Sequence, residues 1–164
     1  MATLMDLERM GRLDKYDPQL SWREQEYRCV YLLPTALSWM ENQLPFEASD
    51  FGVERAPIEQ VYTFLANFCA GKQLWFPRQL HAIRHVDAGI WELKTVDVRL
   101  FGWFPIVDHF VCSNGDMATK VKTQKLYEEY RDKAVAQRDA LDLDNPKFIA
   151  GDNPDDVVSA CSAS

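Results

Sequence analysis

The chain has 164 residues, enough for one domain with its own core, and carries a formal net charge of -7. Aromatic residues make up 12% of it, which excludes a disordered chain, and the acidic balance excludes a nucleic-acid binder that is basic throughout. No apolar run reaches membrane-spanning length and residues 1–10 alternate charge with apolarity, unlike a signal peptide. A cytoplasmic protein with no membrane partner is therefore expected.

The charge is uneven along the chain. Residues 1–60 hold six Lys/Arg against eleven Asp/Glu, and residues 126–164 hold four against nine. Residues 71–125 reverse the sign, with eight Lys/Arg against five Asp/Glu and all three histidines. Only this middle suits contact with a polyanion. The four cysteines (Cys29, Cys69, Cys112, Cys161) have no metal-ligand spacing. Three of them sit in apolar runs and read as buried thiols of a reducing compartment.

In chain order, residues 1–26 read as a short helix or loose arm, broken at Asp17-Pro18. Tyr27 to Leu33 is a β-like run ended by Pro34, which then opens a helix reaching about Leu44. Pro57 opens the clearest helix. Ile58, Val61, Tyr62, Leu65 and Phe68 recur at helical spacing, Phe64 and Cys69 widen the stripe, and Gly71 stands where a C-terminal cap belongs. A short strand is expected around Leu80–Ile83. Three antiparallel strands follow within Gly89–Cys112, separated at Thr95-Val96-Asp97 and at Gly102-Trp103-Phe104-Pro105. In the first, Trp91 and Leu93 share one face, and Ile90, Glu92 and Lys94 the other. Ser113-Asn114-Gly115-Asp116 reads as a turn, followed by one helix to about Leu141. Residues 144–164 are acidic and broken by prolines, and are expected to be a flexible tail, extended or disordered, with Phe148-Ile149 docking locally. The expected fold class is α+β: a small antiparallel sheet (strand, two helices, three-stranded meander) with a C-terminal helix, over residues 27–143.

Gly89-Ile90-Trp91-Glu92-Leu93-Lys94, then Val98-Arg99-Leu100-Phe101, then His109-Phe110 resemble the meander of the RelE/HigB-like toxins. These are ribosome-dependent messenger-RNA nucleases of bacterial toxin–antitoxin systems, many of them carried by prophages and mobile elements. The resemblance implies a RelE-like fold, metal-independent cleavage of RNA without a cofactor, and RNA, the ribosome and an antitoxin as partners. Such cleavage needs a group that activates the 2′-hydroxyl, cations for the phosphate and a proton donor for the leaving oxygen. By resemblance, Lys94 and Arg99 supply the cationic clamp, His109 the acid or base, and Lys120, Lys122 and Arg84 further contacts to RNA. The family places a lysine pair directly after the phenylalanine of its last strand. Here Phe110 is followed by Val111-Cys112-Ser113, and Lys120 and Lys122 come later.

A second reading keeps the scaffold without nuclease chemistry, as a phage-associated or mobile-element protein-binding or regulatory module. The net charge, the acidic flanks and the displaced lysine pair motivate it. A contiguous basic groove separates the two readings in favour of RNA. His81 and His85 have i,i+4 spacing but no third ligand, so no metal site is expected. Asp108 and His109 alternate faces in a strand and cannot form an adjacent dyad. Trp39, Trp75, Trp91 and Trp103 lie in apolar contexts and read as core or interface.

Overall fold

A computed structural model describes residues 1–163 as a mixed α+β fold with a six-stranded sheet and several helices, including a C-terminal one. The elements are α1 (Leu4–Arg9), β1 (Asp14–Lys15), β2 (Cys29–Leu32), α2 (Pro34–Asn42), α3 (Pro57–Cys69), β3 (Leu74–Phe76) and β4 (Leu80–Ala82). They continue with β5 (Trp91–Lys94), β6 (Val98–Ile106), β7 (His109–Met117), α4 (Ala118–Thr123), α5 (Tyr127–Ala140), α6 (Pro154–Val157) and β8 (Cys161–Ala163). The large sheet runs β1-β2-β7-β6-β5-β4. β2 pairs with β7 in parallel and the other neighbours are antiparallel, while β3 and β8 form a separate parallel pair. No described helix is long and apolar enough to cross a membrane.

Both faces of the sheet are covered, which accounts for the continuous burial of β6 from Val98 to Pro105. On the first face, Val30, Leu32, Trp91, Leu93, Leu100 and Phe110 pack under α2 and α3. Helix α3 contributes Val61, Phe64, Leu65, Phe68 and Cys69, one stripe at helical spacing, whereas Tyr62 turns out to solvent. Its end is fixed as expected, with Gly71 at φ 76° just past the last turn. On the second face, Tyr31, Ile90, Phe101, Trp103 and Val111 meet residues of α1, α4 and α5. The split between Trp91/Leu93 and Ile90/Glu92 is therefore the one the alternation predicts. Burial pushes the thiols of Cys69 and Cys112 up to about 12, which keeps them as unreactive packing groups.

Five expectations change. The sheet is mixed and not antiparallel throughout, because β2 enters it parallel to β7, after α2, α3 and β4–β6 have intervened in the chain. The second meander break is not at Gly102–Pro105, because β6 runs straight through and the chain reverses at Val107-Asp108. Asp108 takes φ 64° there. Gly102 and Pro105 instead mark register shifts, where one strand crowds the other and the ladder is interrupted. Ser113–Asp116 is not a turn, since β7 continues to Met117 and Asn114, Gly115 and Asp116 pair with Phe101, Leu100 and Arg99. The expected single C-terminal helix is two, broken after Thr123, with Lys125 at φ 54°.

The segment after residue 143 is not extended. Ile149 N donates to Phe104 O (2.8 Å), Asp108 N donates to Val157 O (2.8 Å), and Val157 and Val158 are buried in the first core. The N-terminal arm is ordered by a Thr3–Asp6 capping box on α1, and Leu4 and Leu7 are buried in the second core. Arm and tail also meet each other, through Ala2 N to Asp142 O and Asp144 N to Ala2 O, each 2.8 Å.

Candidate nucleic-acid interface

Glu92, Lys94 and Arg99 lie on the second face of the sheet because their neighbours Trp91, Leu93, Val98 and Leu100 are committed to the first core. Lys94 and Arg99 are direct cross-strand partners. Glu92 is only 4% exposed. Its Oε1 lies 3.5 Å from Lys94 Nζ and 3.8 Å from His81 Nδ1, and its Oε2 lies 3.9 Å from Arg99 Nε. One buried carboxylate thus faces two permanent cations and a histidine, and the cluster keeps positive charge to spare. Above it sits Tyr127. Burial raises its phenol pKa, Glu92 adds to that and Arg99 opposes it.

The guanidinium of Arg99 is braced from behind, donating to the carbonyls of Thr95 (2.6 Å) and Val98 (3.0 Å). Those carbonyls belong to the β5–β6 turn, which is bolted to α3. Gln60 Nε2 donates to Asp97 Oδ2 (2.6 Å), and Asp97 N and Thr95 Oγ1 both donate to Gln60 Oε1 (3.1 Å each). Burial pushes the Asp97 carboxyl up, but hydrogen bonds from Gln60, Ser49 and the Asp50 and Phe51 amides outweigh it and hold it below the usual value.

Outside this turn opens a cleft of about 770 Å³ whose walls include Arg55, Lys72, Arg78, Lys94 and Arg99 and no Asp or Glu. Carboxamides and threonines fill in between, among them Asn67, Gln79 and Thr63. Arg55, Lys72 and Arg78 have no ion-pair partner among the described residues, and Arg55 donates instead to Thr63 Oγ1 (2.8 Å). Lys72 is held at the rim by Arg28, a buried side chain that donates to the carbonyls of Phe68 and Lys72 (2.9 Å each). Five cations line the cleft and Glu92 offsets only Lys94 and Arg99, so its wall carries an excess of positive charge in a protein of net charge -7.

The expected site residues are only partly brought together. Lys94 and Arg99 share the cleft. Arg84 joins Lys94 in an adjoining depression of about 560 Å³ with His81, Glu92 and Arg131. Lys120 lies one strand further on, 3.0 Å from Asp116, the residue that pairs with Arg99. The lysines trail Phe110 because β7 itself runs on to Met117. Lys122 is exposed on α4 and lines neither depression. His109 is not with the cations. It opens β7 while Asp116 nearly closes it, a separation of about 23 Å along an extended strand. There its Nδ1 lies 2.8 Å from Val107 O.

Sequence reasoning missed Arg55, Lys72 and Arg78. The positive sign of residues 71–125 contained two of them, but Arg55 comes from the acidic first third. In the sequence His81 stands out only through its i,i+4 spacing to His85. It lies on β4 and His85 in the loop beyond, so the two do not share a helix face. Compared with protein-family models, with curated proteins and with solved structures, the chain matches none.

Proposed function

We propose that the protein binds single-stranded RNA in the cleft between α3 and the β5–β6 turn and acts as a RelE/HigB-like, metal-independent endoribonuclease. The cleft of five cations with no carboxylate in its wall carries this reading. The succession β5-β6-β7 as an antiparallel meander followed by helices supports the resemblance, while β3 and β4, which stand between α3 and β5, are additions to the order it implies. Phosphate bound against Lys94 and Arg99 meets charge at the moment it needs it, as negative charge builds on the phosphoryl oxygens. Arg99 is fixed by two carbonyls and so pays little reorganisation. Arg55, Lys72 and Arg78 hold the flanking backbone.

The test is induced expression in bacteria, wild type beside Arg99→Ala, with growth and messenger-RNA integrity followed together. Wild type is expected to arrest growth and fragment messenger RNA, and Arg99→Ala, checked to be soluble and folded, to do neither. Normal growth and intact RNA with soluble wild-type protein would remove the nuclease. The same cleft would then belong to a non-catalytic module that holds an acidic partner.

A further inference from the structure

The depression beside the cleft contains an acid–base group where the proposed cleavage needs one. His81 projects from β4 with its side chain about half exposed, and its ring is stacked on Phe76 at 6.3 Å and 20°. Its Nδ1 faces Glu92 Oε1 at 3.8 Å. Such pairs are often long before substrate binds and shorten once it does. A carboxylate at Nδ1 favours the tautomer with its proton there, which leaves Nε2 as the unprotonated, accepting nitrogen. Glu92 is itself buried, and its Oε2 has no hydrogen-bond partner. Oε2 thus faces Arg99 Nε at 3.9 Å, and Oε1 is the oxygen turned toward His81 and Lys94.

The surroundings suit a phosphodiester at that nitrogen. Lys94 lines both the cleft and this depression, so the two adjoin at that side chain. The charged and titratable groups around His81 are Glu92 and Lys94 on β5, Arg84 and His85 after β4, and Tyr127, Glu128 and Arg131 on α5, with Arg99 of β6 on the far oxygen of Glu92. Among the described residues, neither Asp108 nor any other carboxylate is within ion-pair distance of His109, whose Nδ1 is taken up by a carbonyl of its own turn.

We propose that His81, oriented by Glu92, is the general base of this site and that a ribose 2′-hydroxyl beside the scissile phosphate is what it acts on. The inference rests on the RNA-cleaving reading of the cleft. The 2′-oxygen gives its proton to His81 Nε2 and its electron pair forms a bond to the adjacent phosphorus. The bond from phosphorus to the 5′-oxygen breaks, and that oxygen takes a proton from water while the imidazolium returns its own to solvent. The products are a 2′,3′-cyclic phosphate and a 5′-hydroxyl. His81 is the catalytic residue and Glu92 a positioning residue.

The experiment compares purified wild type, His81→Ala and Glu92→Gln on a fluorescein-labelled RNA oligonucleotide. Affinity is read by anisotropy and cleavage by gel, with and without added imidazole. His81→Ala is expected to bind RNA within about twofold of wild type and to cleave it at least about 100-fold more slowly, with imidazole restoring part of the rate. Glu92→Gln is expected to lower kcat without imidazole rescue and, because it releases Lys94 and Arg99 from their shared carboxylate, to lower KM as well. The same oligonucleotide with 2′-deoxyribose throughout is expected to bind and remain intact. An active wild type with an equally active His81→Ala would overturn the assignment and leave the cleft reading standing. A wild type that binds RNA but cleaves none would overturn both.

Discussion

At the scale of single residues, Asp97 ties stability to the shape of the cleft. Both its carboxylate oxygens accept hydrogen bonds, one from Gln60 Nε2 and one from the Asp50 amide (3.0 Å). In Asp97→Asn an NH₂ group must replace one of these acceptors and face a donor. The cost expected for stranding that buried donor is about 1–3 kcal/mol, read as a lower urea midpoint at pH 7. The sign with pH follows from the direction of the shift. A carboxyl held below its ordinary 3.8 stabilises the fold above that value, and the contribution is lost as pH falls through the folded-state value. Wild type should therefore lose stability below about pH 4 more steeply than Asp97→Asn, which has nothing to titrate there. An equal acid slope in both would show that other groups carry the acid sensitivity. None of this was legible beforehand, because Asp97 read as an ordinary turn residue between two strands. Its partner Gln60 is 37 residues away.

At the scale of elements, legibility depended on whether a residue's cue had one meaning or two. Alternation in β5 and the Pro57-to-Gly71 frame of α3 have one, and both were read correctly. Glycine and proline inside β6 have two, a turn or an irregularity in a strand, and only the partner strand decides. At Gly102 the decision is visible. A Cβ there would sit 2.0 Å from Val111 O and 2.7 Å from the Phe110 ring. Gly102→Ala must then push β6 away from β7, where the sheet is buried on both sides. An overpacking penalty of about 3 kcal/mol is expected, seen as a lower thermal midpoint with the cleft residues unchanged. A substitution without effect would mean that the register shift absorbs a methyl group. The tail misled for a related reason. Its average composition is acidic and small, but Ile149, Val157 and Val158 are spaced to reach the first core, and averages do not report spacing.

At the scale of the whole molecule, a net charge of -7 and a cationic cleft have opposite effects on RNA. The acidic flanks repel it over distances up to a Debye length, about 8 Å at physiological salt, while the cleft attracts it at contact. Binding should therefore be local and salt-sensitive in proportion to the cations that touch phosphate. With three to five contacts from the lining cations, the slope of log affinity against log salt is expected near -0.7 per contact, about -2 to -3.5 in all. Lys72→Ala with Arg78→Ala removes two cations that have no ion-pair partner among the described residues, so no buried acid is left uncompensated. The double variant should fold normally, weaken binding to all RNA sequences alike and reduce the slope by about 1.4. Fluorescence anisotropy of a labelled oligonucleotide between about 50 and 200 mM salt measures this. An unchanged slope would place the RNA elsewhere, with Lys120 and Lys122 of α4 the next residues to test. The cleft joins Arg55 from one acidic third of the chain to cations of the basic middle. Charge counted along the sequence separates these residues, and only the packing of α3 against the β5–β6 turn puts them in one wall.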